Sequence, residues 1–378
     1  MPASQPLASA EDQSAAFVEL FFDLVFVYSV TQVVGLLHHH LDWVGAGQAV
    51  LVFWLVWWAW TQFTWTLNAA NTAHTHIQFW TLAATAVAFF MAVALPDAFN
   101  GGGLGFAIPY VAVRVIGLLL YVWVAWEKPS QRTAVKRFGL LSVGGLAAAI
   151  AGGVAGGSEQ YWLWGLAIVL DFLAAWVGGQ AEGWDLDPEH FAERHGLFVI
   201  IALGESLIVT ASGLAGVAWT VSSSIVAILA VSLSCALWWS YFARGRPRLE
   251  QALTAHTGLK QSLMARDAFS LMHFPMLGGV IAYAVAIEQV ATHAGEPLAL
   301  NARVALALGL LLFVGGMAAA MWRATCGRLW PRVLIVSATA ALVVALGGVP
   351  AMVSLGVALT GVVAIAAVEQ RATTALVE

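Results

Sequence analysis

Twelve runs of about 20 apolar residues, each the length a helix needs to cross a bilayer, follow one another along this chain with only short interruptions. They fall at 17–37, 48–67, 77–96, 104–126, 138–155, 160–180, 196–215, 220–242, 268–290, 302–322, 330–348 and 350–368. The last two also read as one helical hairpin broken at Gly347-Gly348-Val349-Pro350, where glycine and proline interrupt the pattern. Charged residues make up only 10% of the chain and hydrophobic ones 61%, against about 25% charged in an ordinary soluble domain. Charge this sparse cannot coat a water-facing surface. The fold expected is therefore an all-α polytopic transmembrane bundle of about 12 spans.

The basic residues test the count independently, because Lys and Arg concentrate in cytoplasmic loops. Lys128, Arg132, Lys136 and Arg137 follow span four, and Arg194 precedes span seven. Arg244, Arg246, Arg248, Lys260 and Arg266 follow span eight; Arg323, Arg328 and Arg332 follow span ten; Arg371 follows span twelve. All fall on one side, and only Arg303 falls on the other. The pattern predicts a multi-pass protein of the inner (cytoplasmic) membrane, with cytoplasmic tails at 1–16 and 369–378 and a transmembrane domain at 17–368. The first 14 residues contain Glu11 and Asp12 but no Lys or Arg, so the first run reads as a retained span rather than a signal peptide.

Two six-span halves, 17–180 and 196–368, are suggested by matching stretches. Val56-Trp57-Trp58-Ala59-Trp60 in span two resembles Leu237-Trp238-Trp239-Ser240-Tyr241 in span eight, and Arg114 in span four has a counterpart in Arg303 of span ten. Six spans separate each pair, so the halves share an orientation, as in transporters with parallel repeats.

Ionisable groups at bilayer depth cost roughly 2.5–3.5 kcal/mol each on insertion scales and point to function. Glu19 and Asp23 stand one helical turn apart in an otherwise apolar segment, on one face. Such a pair repels unless one acid is protonated or a cation lies between them, which suits proton transfer, ion binding or general acid chemistry. Structurally, Glu19 could instead lie at the interface, with only Asp23 buried against an arginine. Glu205 is a third buried acid, beside Gly204, which permits close helix approach, and Ser206. Glu19, Asp23 and Glu205 are the candidate catalytic acids. Arg114 lies inside span four and needs a carboxylate; Asp23, Asp97 and Asp171 are the choices.

There are 18 tryptophans. Trp54, Trp57 and Trp58 share a helix face with Gln62 and read either as the wall of a chamber for a greasy or cationic molecule or as lipid-facing belt residues. With Arg114, Ser206 and His273 they form the candidate substrate-binding set. His273 and His195, which caps span seven, read equally well as satisfied structural groups. His38-His39-His40, His74 and His76 carry no metal-ligand spacing. Cys235 and Cys326 read as small buried hydrophobes. Neither a metal nor a cofactor is expected. No basic patch suits nucleic acid, no lysine lies inside a span to hold retinal, and no Walker motif appears. The expected partners are the lipid bilayer and a lipid-soluble small molecule or ion.

Three stretches together resemble the bacterial low temperature requirement A family. They are Glu19-Leu20-Phe21-Phe22-Asp23-Leu24-Val25-Phe26-Val27, then His190-Phe191-Ala192-Glu193-Arg194-His195-Gly196 running on to Gly204-Glu205-Ser206, then Arg266-Asp267-Ala268-Phe269-Ser270-Leu271-Met272-His273-Phe274-Pro275. Pro96-Asp97-Ala98-Phe99 and Arg114 resemble further family positions. The resemblance implies a multi-span inner-membrane protein and carries no particular reaction. The segment Asn68 to His76 departs from the charged loop of the family, which leaves room for a specialised substrate. Two functions fit the residues, and the first is favoured because it accounts for both the carboxylates and the abundant tryptophans. One is an intramembrane enzyme whose carboxylic acid protonates a lipid-soluble, isoprenoid-type substrate, as a terpenoid cyclase does. The other is a proton- or cation-coupled transporter whose acids carry the coupling ion. A structural or stress-related role, with the acids merely paired to arginines, is the third.

Overall fold

The computed structural model describes residues 7, 14–180, 184, 186–215, 218–327 and 329–374, with side chains to 370. Most of the expected N-terminal tail, the last four residues, Asp185, Arg328 and the Arg371 side chain lie outside the described residues. Among the described residues all regular structure is helical: α1 (Phe17–His39), α2 (Trp43–Ala69), α3 (Thr75–Ala94), α4 (Gly103–Glu127), α5 (Arg132–Ala155), α6 (Gly157–Gly179), α7 (Pro188–Ala215), α8 (Val221–Ser240), α9 (Arg246–Thr254), α10 (Gly258–Met264), α11 (His273–Thr292), α12 (Leu300–Thr325), α13 (Trp330–Ala345) and α14 (Ala351–Thr374). The short α9 and α10 join α8 to α11. The other twelve correspond one for one to the expected spans. Eleven candidate spans are long and apolar enough to cross a membrane, while α13, at 16 residues, is shorter.

Local chemistry sets the boundaries. Asp42 accepts a 2.8 Å hydrogen bond from the Gly45 amide and starts α2, and Thr220 with Ser223 caps α8. Gly156 and Gly157 both adopt positive φ and separate α5 from α6, a turn that side chains with a Cβ resist. Pro331 occupies the first turn of α13, where a missing N–H costs nothing. The chain breaks between α13 and α14 at the Gly-Gly-Val-Pro sequence. Segments with wider, π-type turns, Tyr241–Gly245 and Ala265–Leu271, flank the α9–α10 excursion.

Helix starts differ from the hydropathy reading where polar residues occupy the first turns. α7 begins at Pro188 rather than 196, so Arg194 and His195 are internal to a helix, not in a loop or at a cap. Both are completely buried. Arg332 lies inside α13, not in a loop, and α14 runs into the expected C-terminal tail. Cys235 and Cys326 are exposed, correcting their assignment to the core. The described basic residues other than Arg114 and Arg303 do gather at the end of the bundle where α1 begins.

The two sets of six long helices share a pattern of neighbours. α1 touches α2 and α3, as α7 touches α8 and α11. The chain of contacts α3–α4–α5–α6 is matched by α11–α12–α13–α14, and α2 packs on α6 as α8 packs on α14. Arg114 and Arg303, paired in the sequence reading, do not match in depth. Arg114 sits mid-helix in α4, whereas Arg303 lies in the first turn of α12 and bonds the Val344 carbonyl of α13.

Small residues bring backbone against backbone where α11 crosses α12. A Cβ built on Gly279 would lie 2.6 Å from the Phe313 amide nitrogen and 2.7 Å from the Gly309 carbonyl oxygen. Backbone cannot yield as a side chain does, so glycine is obligatory there, as at small-residue crossings in membranes. Gly204, by contrast, has nothing within 4 Å of its Cβ position and does not mark a close approach. Replacing Gly279 with leucine is expected to lower stability by at least about 1–3 kcal/mol, the usual cost of overpacking. Gly315→Leu on α12, with nothing within 4 Å, should be neutral; thermal unfolding of the two purified variants in detergent checks this.

Candidate functional site

Glu19 and Asp23 are completely buried, as are His190 and Arg194 on α7. Both pairs have the same spacing, one helical turn, so two matched faces meet along α1 and α7. The Arg194 guanidinium bridges the acids. One terminal nitrogen pairs with Glu19, and the other lies 2.6 Å from Asp23 Oδ1. Glu19 Oε2 accepts from His190 Nε2 at 3.0 Å and from its own helix start, the Ala16 amide, at 2.8 Å. Asp23 Oδ1 also accepts the indole N–H of Trp60 at 2.7 Å, and the guanidinium lies 5.8 Å from the centre of that ring, within cation–π range. Glu19 is thus as buried within the protein as Asp23, and both acids share one buried arginine.

The histidine tautomer follows from its neighbour. Asn68, at the end of α2, accepts from the Asp187 amide at 2.9 Å and donates to the Asp187 carbonyl at 2.8 Å. These two bonds fix which end of the amide carries the N–H groups. The Asn68 amide nitrogen therefore donates to His190 Nδ1 at 3.1 Å, which leaves the His190 proton on Nε2, aimed at Glu19. Two carboxylates then face one guanidinium and one neutral imidazole. Asp23 Oδ2 and Arg194 Nε are buried without a partner.

Arg114 chooses Asp171 of α6, at 3.2 Å, over Asp23 and Asp97. Its guanidinium also donates to the Gln62 side-chain carbonyl and, at 2.7 Å, to the Tyr110 hydroxyl, and Gln62 returns a 2.8 Å bond to the Arg114 carbonyl. Trp54 and Trp58 stack 5.3 Å apart in the core, and their indole N–H groups approach Asp171 outside strict hydrogen-bond geometry. Trp57 donates to the Ser270 carbonyl at 2.7 Å and stacks on Trp60. Of this tryptophan face, Trp58 and Gln62 border a small cavity of about 40 Å³. A third buried arginine, Arg332, forms a two-pronged pair with Glu369 of α14.

Glu205 stands eleven positions beyond Arg194 on α7, about 16 Å further along the axis at 1.5 Å per residue. It is 7% exposed, no hydrogen bond or ion pair reaches it among the described residues, and the fold does not join it to Glu19 and Asp23. Beside it Ser206 contacts Ser234 at 3.1 Å, and Ser234 contacts the Tyr283 hydroxyl at 3.0 Å. His273 lies 2.8 Å from the Tyr241 hydroxyl and packs against His195. Among the described residues no group of three His, Cys, Asp or Glu side chains converges as metal ligands would.

The sequence reading missed Arg194, His190, Asn68 and Trp60. The available signal was the shared spacing of Glu19/Asp23 and His190/Arg194, which pairs two acids with two nitrogen bases on helices of the same orientation.

Fold and site define a polytopic α-helical integral membrane protein with an ionic network sealed in its core. The chain belongs to the bacterial low temperature requirement A protein (LtrA) family, whose model matches residues 14–368. It is 31% identical over 324 residues, 83% of this chain and 78% of the relative, to an uncharacterized protein of Rhizobium meliloti (strain 1021). No solved structure matches it significantly.

Removing one partner from a buried ion pair strands the other charge and typically costs about 3–5 kcal/mol. Arg194→Gln is therefore expected to destabilise the protein by that order. Adding Glu19→Gln and Asp23→Asn to Arg194→Gln should restore much of the loss, because no net charge then remains buried. Chemical denaturation of the single and triple variants in detergent measures both.

Proposed function

We propose that this protein is a proton-coupled transporter of the inner membrane, and that the Glu19–Asp23–Arg194 cluster is where its proton binds. The charge count of the cluster carries this reading. Two carboxylates and one guanidinium sum to minus one, and the Nε2–H tautomer of His190 adds nothing. A buried unpaired charge is strongly disfavoured, so one proton, or one cation, is called for. Asp23 Oδ2, with no partner, is the free oxygen of the set.

The position of the cluster suits coupling. Glu19, Asp23 and Trp60 belong to α1 and α2, whereas His190 and Arg194 belong to α7, so a proton here acts on the contact between the two six-helix sets. Their common neighbour pattern and shared orientation agree with parallel repeats that rock about a central site. The gathering of basic residues at the end where α1 begins supports cytoplasmic termini.

The geometry supports an acid-catalysed cyclase less well. Such an enzyme needs its proton donor to face a chamber sized for an isoprenoid-type chain. Glu19 and Asp23 are instead completely buried, with Arg194, His190 and Trp60 against them. A coupling site needs only to gain and lose a proton as its partners shift.

Reconstituted protein on a solid-supported membrane is expected to give a transient charge displacement after a step in pH. Asp23→Asn should abolish the signal, while Cys235→Ser, on the exposed side of α8, should leave it intact. An absent wild-type response, or an unchanged one in Asp23→Asn, would rule the proton site out.

A further inference from the structure

We infer that a groove of about 610 Å³ between α1–α2 and α11–α12, at the end of the bundle opposite the one where α1 begins, binds a single-chain amphiphile with a cationic head. At about 30 Å³ for a group the size of a water molecule, this volume holds roughly twenty such groups, the bulk of one long alkyl chain. The length agrees. Asp42 and Trp43 stand at the mouth, and Phe53 is the deepest residue of α2 in the lining. Eleven positions separate Asp42 from Phe53, about 16 Å at 1.5 Å per residue, close to half of a hydrocarbon core about 30 Å thick.

The floor is the stacked pair Phe53 and Phe274, with ring centres 5.0 Å apart. Between floor and mouth the four helices present apolar surface, from Leu37, Ala49, Gly278 and Leu308 among others. Val50, Leu300 and Leu308 are 55%, 58% and 40% exposed. The groove is therefore open along its side, and a chain dissolved in the bilayer enters it without leaving the apolar phase.

Hydrophilic groups are confined to the mouth. Asn301 spends its amide N–H on the Leu41 carbonyl at 3.1 Å and its oxygen on the Ala302 amide at 2.9 Å, which ties α12 to the turn between α1 and α2. Asp42 is the one charged residue of the lining, and it is exposed. Its Oδ1 accepts from the Gly45 amide, and among the described residues nothing bonds Oδ2. Trp43 beside it is 82% exposed. A carboxylate next to an open indole face attracts an alkylammonium head by charge and by cation–π contact. A carboxylate head would instead meet Asp42 with like charge. The rest of this end has the same sign: among the described residues Asp42, Asp97, Glu159, Glu288 and Glu296 lie there against one arginine, Arg303, and no lysine.

The groove separates two helices of one six-helix set from two of the other, so its occupant bears on the same contact between sets as the acid cluster. If the protein is the transporter proposed above, this amphiphile is its substrate class; the binding itself does not depend on that reading.

Photolabelling of the full chain in phosphatidylcholine nanodiscs at constant pH tests the inference, with tetradecyltrimethylammonium carrying a diazirine at the chain end as the probe. Saturable labelling is expected at the floor, in the peptides that carry Phe53 and Phe274. Unmodified tetradecyltrimethylammonium should compete it away, and myristate should not. A groove that only seats bilayer lipid would give no saturable label against the excess phosphatidylcholine. The Cβ position of Gly278 has 4.0 Å of clearance to Phe53, so Gly278→Leu fills the groove without forcing the backbone. It should cut labelling about tenfold or more with thermal stability unchanged. Asp42→Asn keeps a residue able to cap α2 and should weaken labelling several-fold. Asp23→Asn should leave it intact, so that a failure here is separable from a failure of the proton site. Equal competition by myristate, unsaturable labelling spread over outward residues such as Phe79 and Phe90, or wild-type labelling in either Gly278→Leu or Asp42→Asn would overturn the proposal.

Discussion

A guanidinium cannot be left bare inside a lipid-embedded bundle, and this requirement organises the fold. Among the described residues three arginines are buried to 2% exposure or less, and each is met by a carboxylate from another helix. Arg194 ties α7 to α1, Arg114 ties α4 to α6, and Arg332 ties α13 to α14. Because charged contacts tolerate little displacement, each pair fixes the register of two helices. Apolar packing between leucines and valines would leave that register far less defined, since lipid is as apolar as the helix surface it replaces.

The Arg194 cluster differs from the other two in its balance. Arg114 meets one aspartate and Arg332 one glutamate, so each forms a neutral pair. Arg194 meets two acids, and the histidine beside them is committed by Asn68 to a tautomer that brings no charge. The tryptophans around it supply hydrogen bonds and stacked surface: Trp60 holds Asp23, Trp57 rests on Trp60, and Trp57 bonds the Ser270 carbonyl. A change at the cluster thus reaches the Ser270 backbone through two stacked rings.

Much of this was legible in the sequence. Twelve spans, their approximate limits and the one-sided distribution of basic residues follow from runs of apolar residues and the placement of Lys and Arg. The presence of costly acids at positions 19, 23 and 205 was equally plain. The partners were not. Arg194 and Arg332 looked like loop charges because hydropathy locates only the apolar stretch of a helix, whereas α7 begins eight residues before that stretch with polar side chains that are buried by tertiary contact. Asn68 looked like a loop residue for the same reason. Glu205 looked equivalent to Glu19 and Asp23, yet the fold sets it about three turns away from them along α7.

The sequence by itself determined the class of protein, because composition and apolar run length decide solvent preference through local properties of each segment. It also determined which side chains would be expensive to bury. Only the tertiary structure decided which helix offsets each charge, which acid remains without a partner, and where the tryptophans enclose space rather than fill it. Those outcomes depend on contacts between residues far apart in the chain, 175 positions for Glu19 and Arg194 and 213 for Trp57 and Ser270, and no local pattern encodes which distant helix will lie alongside.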